Sequence, residues 1–127
     1  MRYLILVLAL AGCMEARSEP GREELALSRE LEGRVAGPPQ DCINATPSTS
    51  LNIVSRDTLV YRAGATIWVN RIPGGCPGTR PFNQLIVEPS SAGRYCRSDR
   101  IRAVETGSSI PGPICPLGQF TPYRAGR

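Results

Sequence analysis

Cysteine, arginine and the carboxylates are the side chains able to do chemistry in this chain. Cys42, Cys76, Cys96 and Cys115 are scattered across the last two thirds of the sequence. A zinc site needs closely spaced ligand pairs, yet 18 residues separate even the nearest two, Cys96 and Cys115. Four cysteines at such spacings are expected to form two disulfides. Of the three possible pairings, Cys76–Cys96 and Cys42–Cys115 are expected, the first closing a hairpin-sized loop and the second tying the ends of the domain. On the chain-entropy model these would contribute roughly 3 and 4 kcal/mol.

All 15 basic residues are Arg; the sequence has neither Lys nor His. The absence of His removes the usual general base, the usual zinc ligand and the one side chain that titrates naturally near neutrality. The hydroxyls of Ser48-Thr49-Ser50, Ser90-Ser91 and Ser108-Ser109 therefore have no His or Lys to activate them. A carboxylate pair could hydrolyse a glycoside, and Asp57 and Asp99 are the interior acids to consider. Each sits beside an Arg in turn-like sequence, where a turn cap or ion pair is the better reading. Gly74-Gly75 and Gly78 lack the Lys and Ser/Thr that follow in a phosphate-cradling loop. The chain is accordingly read as non-catalytic, with no cofactor and no metal.

The basic residues offer binding chemistry instead. From Asp41 to Arg127 there are ten Arg against five acids, a net +5. Arg94, Arg97, Arg100 and Arg102 fall within nine residues. If the segment from Asp99 to Glu105 is a strand, Arg100 and Arg102 share one face, with Ile101 and Ala103 on the other. Such a face could recognise lipopolysaccharide phosphates, cell-wall carboxylates or an acidic protein; the plainer alternative is a solvated strand face. Nucleic acid is not expected as a partner, because the interleaved aromatics of a single-strand binder are missing.

The elements that must position these residues fall into two stretches. Met14 to Gln40 carries six Glu against four Arg and reads as a tether. Within it, Arg22 to Arg34 has helix-forming composition with Leu27, Leu31 and Val35 at i, i+4, i+8. A helix of three turns is marginal alone, so it either docks its Leu face or frays. From Asp41 onward, β-rich runs recur at 8–12-residue spacing: 42–45, 51–54, 58–62, 66–70, 82–88, 95–96, 99–105 and a last one around Phe120. The expected fold is all-β, a small antiparallel barrel or sandwich with two disulfides, preceded by a short helical tether. Trp68, Tyr61, Tyr95, Phe82 and Phe120 are expected inside it, since so thin a core needs its rings.

The N-terminus supplies the setting. Arg2, an apolar run from Tyr3 to Ala11, and then Gly12-Cys13 have the form of an export signal. Leu10-Ala11-Gly12-Cys13 resembles the lipobox of bacterial lipoproteins, which implies a thioether-linked diacylglycerol on Cys13, with acyl chains such as palmitate, and cleavage just before it. The resulting division is a signal over residues 1–12, a lipid-anchored tether over 13–40 and a β domain over 41–127. With Met14 and no Asp after the lipidated cysteine, resemblance to lipoprotein sorting implies the periplasmic face of the outer membrane. The apolar run is about half the roughly 20 residues of a membrane-crossing helix.

Further along, Arg34-Val35-Ala36-Gly37 leads into Asp41-Cys42-Ile43, and Asn70-Arg71-Ile72-Pro73 precedes Gly75-Cys76-Pro77-Gly78. With Cys96-Arg97-Ser98-Asp99-Arg100-Ile101 and Cys115-Pro116-Leu117-Gly118-Gln119-Phe120, these stretches resemble a family of small exported proteobacterial proteins whose domain has no assigned function. The resemblance spans roughly Leu31 to Pro122 and implies one defined topology, without an activity or a site. The expected role is an envelope binding or accessory module. The alternative is a periplasmic inhibitor of a hydrolase, an acidic one, because a +5 domain would be repelled by basic lysozymes.

Overall fold

In the computed structural model, which describes residues 21–126, one helix and ten strands follow in order: α1 (Arg22–Leu31), β1 (Arg34–Ala36), β2 (Cys42–Asn44), β3 (Asn52–Ser55), β4 (Thr58–Ala63), β5 (Thr66–Arg71), β6 (Gln84–Glu88), β7 (Arg94–Cys96), β8 (Arg100–Val104), β9 (Cys115–Pro116) and β10 (Phe120–Ala125). The fold is all-β and sandwich-like. Its largest sheet has the order β1-β10-β5-β4-β3; the pair β2-β7 and the three-stranded sheet β6-β8-β9 complete it, and every pairing is antiparallel.

Strand β4 shows why the layers stack as they do. Thr58 to Tyr61 are buried one after another, which an amphipathic strand with one wet face could not be. Leu59 and Tyr61 point into the main core with Ile43, Ile101, Leu117 and Phe120, whereas Val60 joins Val54, Ile67 and Val69 beneath Leu27 of α1. The five-stranded sheet is thus covered on both faces, by the helix on one and the smaller sheets on the other. The β4–β5 hairpin closes through Gly64-Ala65, with Gly64 at φ +58°, a conformation glycine enters without steric cost.

The helix docks. Glu23 and Glu24 lie in its first turn and Arg29 in its last, as the helix dipole favours. Arg62 of β4 forks onto the Glu30 carboxylate at 2.8 and 2.7 Å. The helix stops at Leu31, short of the expected Arg34, because Arg34 begins a strand. Arg34–Ala36 pairs with β10, and Gly37 and Gln40 continue the ladder by donating to the Pro122 and Phe120 carbonyls at 2.8 Å each. Residues 22–40, expected as tether, are therefore part of the folded body.

The disulfides are Cys42–Cys96 and Cys76–Cys115, not the expected Cys76–Cys96 and Cys42–Cys115. The expected pairing assumed a local hairpin between Cys76 and Cys96. Instead β7 pairs with the distant β2, which sets Cys42 directly opposite Cys96, while β6 pairs with β8 and leaves Cys76 to meet Cys115 at the edge of that sheet.

Phe82 is the second correction. Tyr61 and Phe120 are fully buried and Trp68 and Tyr95 pack against the core, but Phe82 is 84% exposed. It belongs to a turn that precedes β6, rather than to the strand expected from residue 82. The Asn83 amide donates to the Gly78 carbonyl and the Thr106 hydroxyl to the Phe82 carbonyl, holding that turn beyond the end of the sheet.

Candidate functional site

The arginine cluster lies on β7, β8 and the turn between them. Alternation along β8 is as expected: Ile101 and Ala103 are buried, Arg100 is exposed and Arg102 half-buried on the outer face. Asp99, the one acid inside the cluster, is turned inward and 3% exposed. Its carboxylate accepts from the Ser90 N–H and hydroxyl at 3.1 and 2.7 Å and from the Cys96 N–H at 2.8 Å. The neighbouring Ser98 takes a positive φ of 71° to complete the turn. Asp99 is therefore a turn cap whose acceptors are committed to the backbone and Ser90, and it forms no salt bridge with the arginines around it among the described residues.

The partners of those arginines are distant. Arg97 lies 3.9 Å from Asp41 and Arg102 lies 3.8 Å from Glu88, both ion pairs at the outer limit of contact. Neither pair closes a hydrogen bond among the described residues, and the Arg102 Nε is buried without a partner. Arg94 and Arg100 form no salt bridge among the described residues, although Arg100 stands opposite Glu88 in the β6–β8 register. Most of the guanidinium donors here face solvent, available to an anion of suitable shape.

The four do not converge on one concavity. Arg97 lines a shallow cleft of about 400 Å³ with Arg71, Pro73, Gln119 and Thr121, while Arg94 and Arg100 stand on the open surface and Arg102 is half-buried. Arg71 was not among the expected binding residues. Its place in Asn70-Arg71-Ile72-Pro73 marked it as part of a motif, but nothing in the spacing brings it beside Arg97, 26 residues later. Two contacts to the 117–118 segment bring them together: the Ser98 N–H, next to Arg97, donates to the Leu117 carbonyl at 2.9 Å, and Asn70, next to Arg71 and buried in β5, holds Gly118. The Asn70 side-chain amide donates to the Gly118 carbonyl at 2.7 Å and its oxygen accepts from the Gly118 N–H at 2.9 Å.

A more enclosed cleft of about 310 Å³ runs between α1 and the sheet, lined by Glu24, Ser28, Leu31, Asp57, Thr58 and Arg71. Here Arg71 donates to the Thr58 hydroxyl, which donates to Asp57. Asp57 also accepts from Ser55 at 2.8 Å. The Ser55 and Thr58 hydroxyls, with the Arg71 charge behind them, hold the Asp57 carboxyl below the usual carboxylate range. Asp57 is thus the cap of the β3–β4 turn, ionised and hydrogen-bonded. With Glu24 and Asp57 set against Arg71, this cleft does not extend the basic surface.

Asp57 and Asp99 lie in different turns, Asp57 accepting two hydroxyls on Oδ1 and Asp99 accepting on both oxygens. No group of three or more His, Cys, Asp or Glu suited to a metal ion occurs among the described residues. Cys13, the expected lipidation site, lies outside the described residues. Comparison of the chain with protein-family models, curated proteins and solved structures finds no match.

Proposed function

We propose that this protein is a non-catalytic binding or accessory module of the bacterial cell envelope, held by an acylated Cys13 at the periplasmic face of the outer membrane. Its arginine surface recognises anionic envelope components. One observation supports the reading: Asp99 is withdrawn into the β7–β8 turn, so that Arg94 and Arg100 are exposed with no salt bridge among the described residues and Arg97 has only a 3.9 Å contact with Asp41. Two disulfides suit an oxidising compartment outside the cytoplasm. The lipobox-like Leu10-Ala11-Gly12-Cys13 and the resemblance to small exported proteobacterial proteins supply the address.

Co-sedimentation of the full chain with lipopolysaccharide and with peptidoglycan tests this. Wild type is retained and released by salt, and the Arg100→Ser/Arg102→Ser variant is retained less. Equal retention of both, or retention unaffected by salt, refutes the anion-binding surface. Stoichiometric capture of an acidic periplasmic hydrolase in its place would assign the protein to inhibition.

A further inference from the structure

Five bulky apolar residues are exposed among the described residues: Leu25 on α1, Val35 on β1, and three that belong to the β6-β8-β9 sheet and its turns. Phe82 and Ile110 are 84% and 79% exposed and Ile114 is 50% exposed. The first two ride on turns that are tied together at one end of the β6-β8-β9 sheet. The Thr106 hydroxyl donates to the Phe82 carbonyl at 2.6 Å, Val104 is bridged to Pro111, and the Gly112 N–H donates to the Ala103 carbonyl at 2.8 Å. Ile114 leads directly into β9 on the same sheet. Leaving a Phe and an Ile this open forfeits the burial that would otherwise stabilise so small a core.

One exposed cation, Arg80, lies close to these tips in sequence, two residues before Phe82. The others of this sheet, Arg100 and Arg102, are set back along the outer face of β8, with Arg100 at its far end opposite Glu88. The carboxylates on this side are Glu88, near Arg102, and Glu105, at the base of the Ile110 loop. Bulky apolar groups at protruding turns, with arginines set behind them, match the order of acyl chain and phosphate met on entering an anionic bilayer. A protein groove would instead need a continuous apolar face. Resting on the envelope reading above, we infer that Phe82 and Ile110 insert into an anionic lipid bilayer and seat the arginine face of this sheet against its headgroups.

Chain length supports the assignment. Cys13 lies eight residues before Gly21, so an acyl anchor there holds the folded body within at most about 28 Å of the membrane. At that effective concentration a weak second contact is enough to orient the domain. The anchor alone would leave it free to tumble.

The test places the reporter at the tip. The full, acylated chain carrying Phe82→Trp is reconstituted into phosphatidylglycerol vesicles with brominated acyl chains, with wild type giving the Trp68 background. The introduced indole is expected to emit at shorter wavelength and to be quenched, and both effects are lost when zwitterionic lipid replaces the anionic one. Without an anchor (Cys13→Ser), Phe82→Ser/Ile110→Ser lowers vesicle partitioning about tenfold or more while leaving retention on peptidoglycan unchanged. That last arm separates the two proposals, since Phe82→Ser/Ile110→Ser leaves every arginine in place and so tests insertion apart from anion binding. An indole that is neither shifted nor quenched, or vesicle partitioning unaltered by Phe82→Ser/Ile110→Ser, overturns the inference. So does an indole protected only by a co-purifying protein.

Discussion

Asp99 and Asn70 show how single polar side chains fix this fold, and Gly118 how the lack of one does. Asp99 serves three donors from a buried position, so Asp99→Ala strands them and should cost about 2 kcal/mol in denaturant unfolding. Gly118 is held against Arg71: a Cβ placed there would come within 2.1 Å of the Arg71 carbonyl oxygen. Backbone cannot yield as a flexible side chain can, so Gly118→Ala should lower stability by about 3 kcal/mol or more and open the Asn70 contact. Unaltered unfolding of Gly118→Ala would contradict the packing described. At Asp57 the sign follows from its depressed pKa: the stabilisation is complete above the unfolded-state value and is lost as pH falls through the carboxylate range, roughly pH 4 and below. Asp57→Asn should therefore flatten the acid limb of a stability–pH curve. Both aspartates could be read from sequence as turn caps because an Asp next to turn residues is a local signal. Asn70 could not, since its partner is 48 residues away.

At the scale of elements, α1 is the most informative. Its Leu spacing revealed an apolar stripe, but whether the stripe would find a partner depended on β4 being buried on both faces. Leu27→Ala removes the helix's one fully buried contact and should cost about 3 kcal/mol. Glu30→Gln breaks the fork to Arg62 but should cost only about 0.5 kcal/mol, because both partners are partly exposed. Hydrogen exchange would detect the difference, with amides of α1 losing protection in Leu27→Ala while those of β8 keep theirs. The strands were legible from β-rich runs and their turn residues, and the alternation that exposes Arg100 and buries Ile101 was legible from period two alone. Their partners were not. Strand β7 pairs with β2 across 54 residues, and no local pattern encodes that choice, so the cysteine pairing inferred from a local hairpin was wrong. Phe82 was misplaced for a related reason: a ring beside β-rich sequence looks like core until the turn holding it is seen.

Across the whole molecule, the disulfides close loops of similar length, with separations of 54 and 39 residues. On the chain-entropy model each contributes about 4 kcal/mol. Replacing either pair by Ser should cost stability on that scale, and a non-reducing peptide map should recover Cys42 with Cys96 and Cys76 with Cys115. α1 lies on one face of the large sheet, and strands β7 and β8, which bear the clustered arginines, belong to the layers on its other face. The central claim is that this second side binds anions through Arg100, Arg102 and their neighbours. The most direct measurement is the affinity of the full chain for lipopolysaccharide across a series of salt concentrations, in wild type and in Arg100→Ser/Arg102→Ser. The account predicts that wild-type affinity falls as salt rises, and that the variant binds more weakly with a shallower salt dependence. Equal affinities with the same dependence, or binding indifferent to salt, would contradict it.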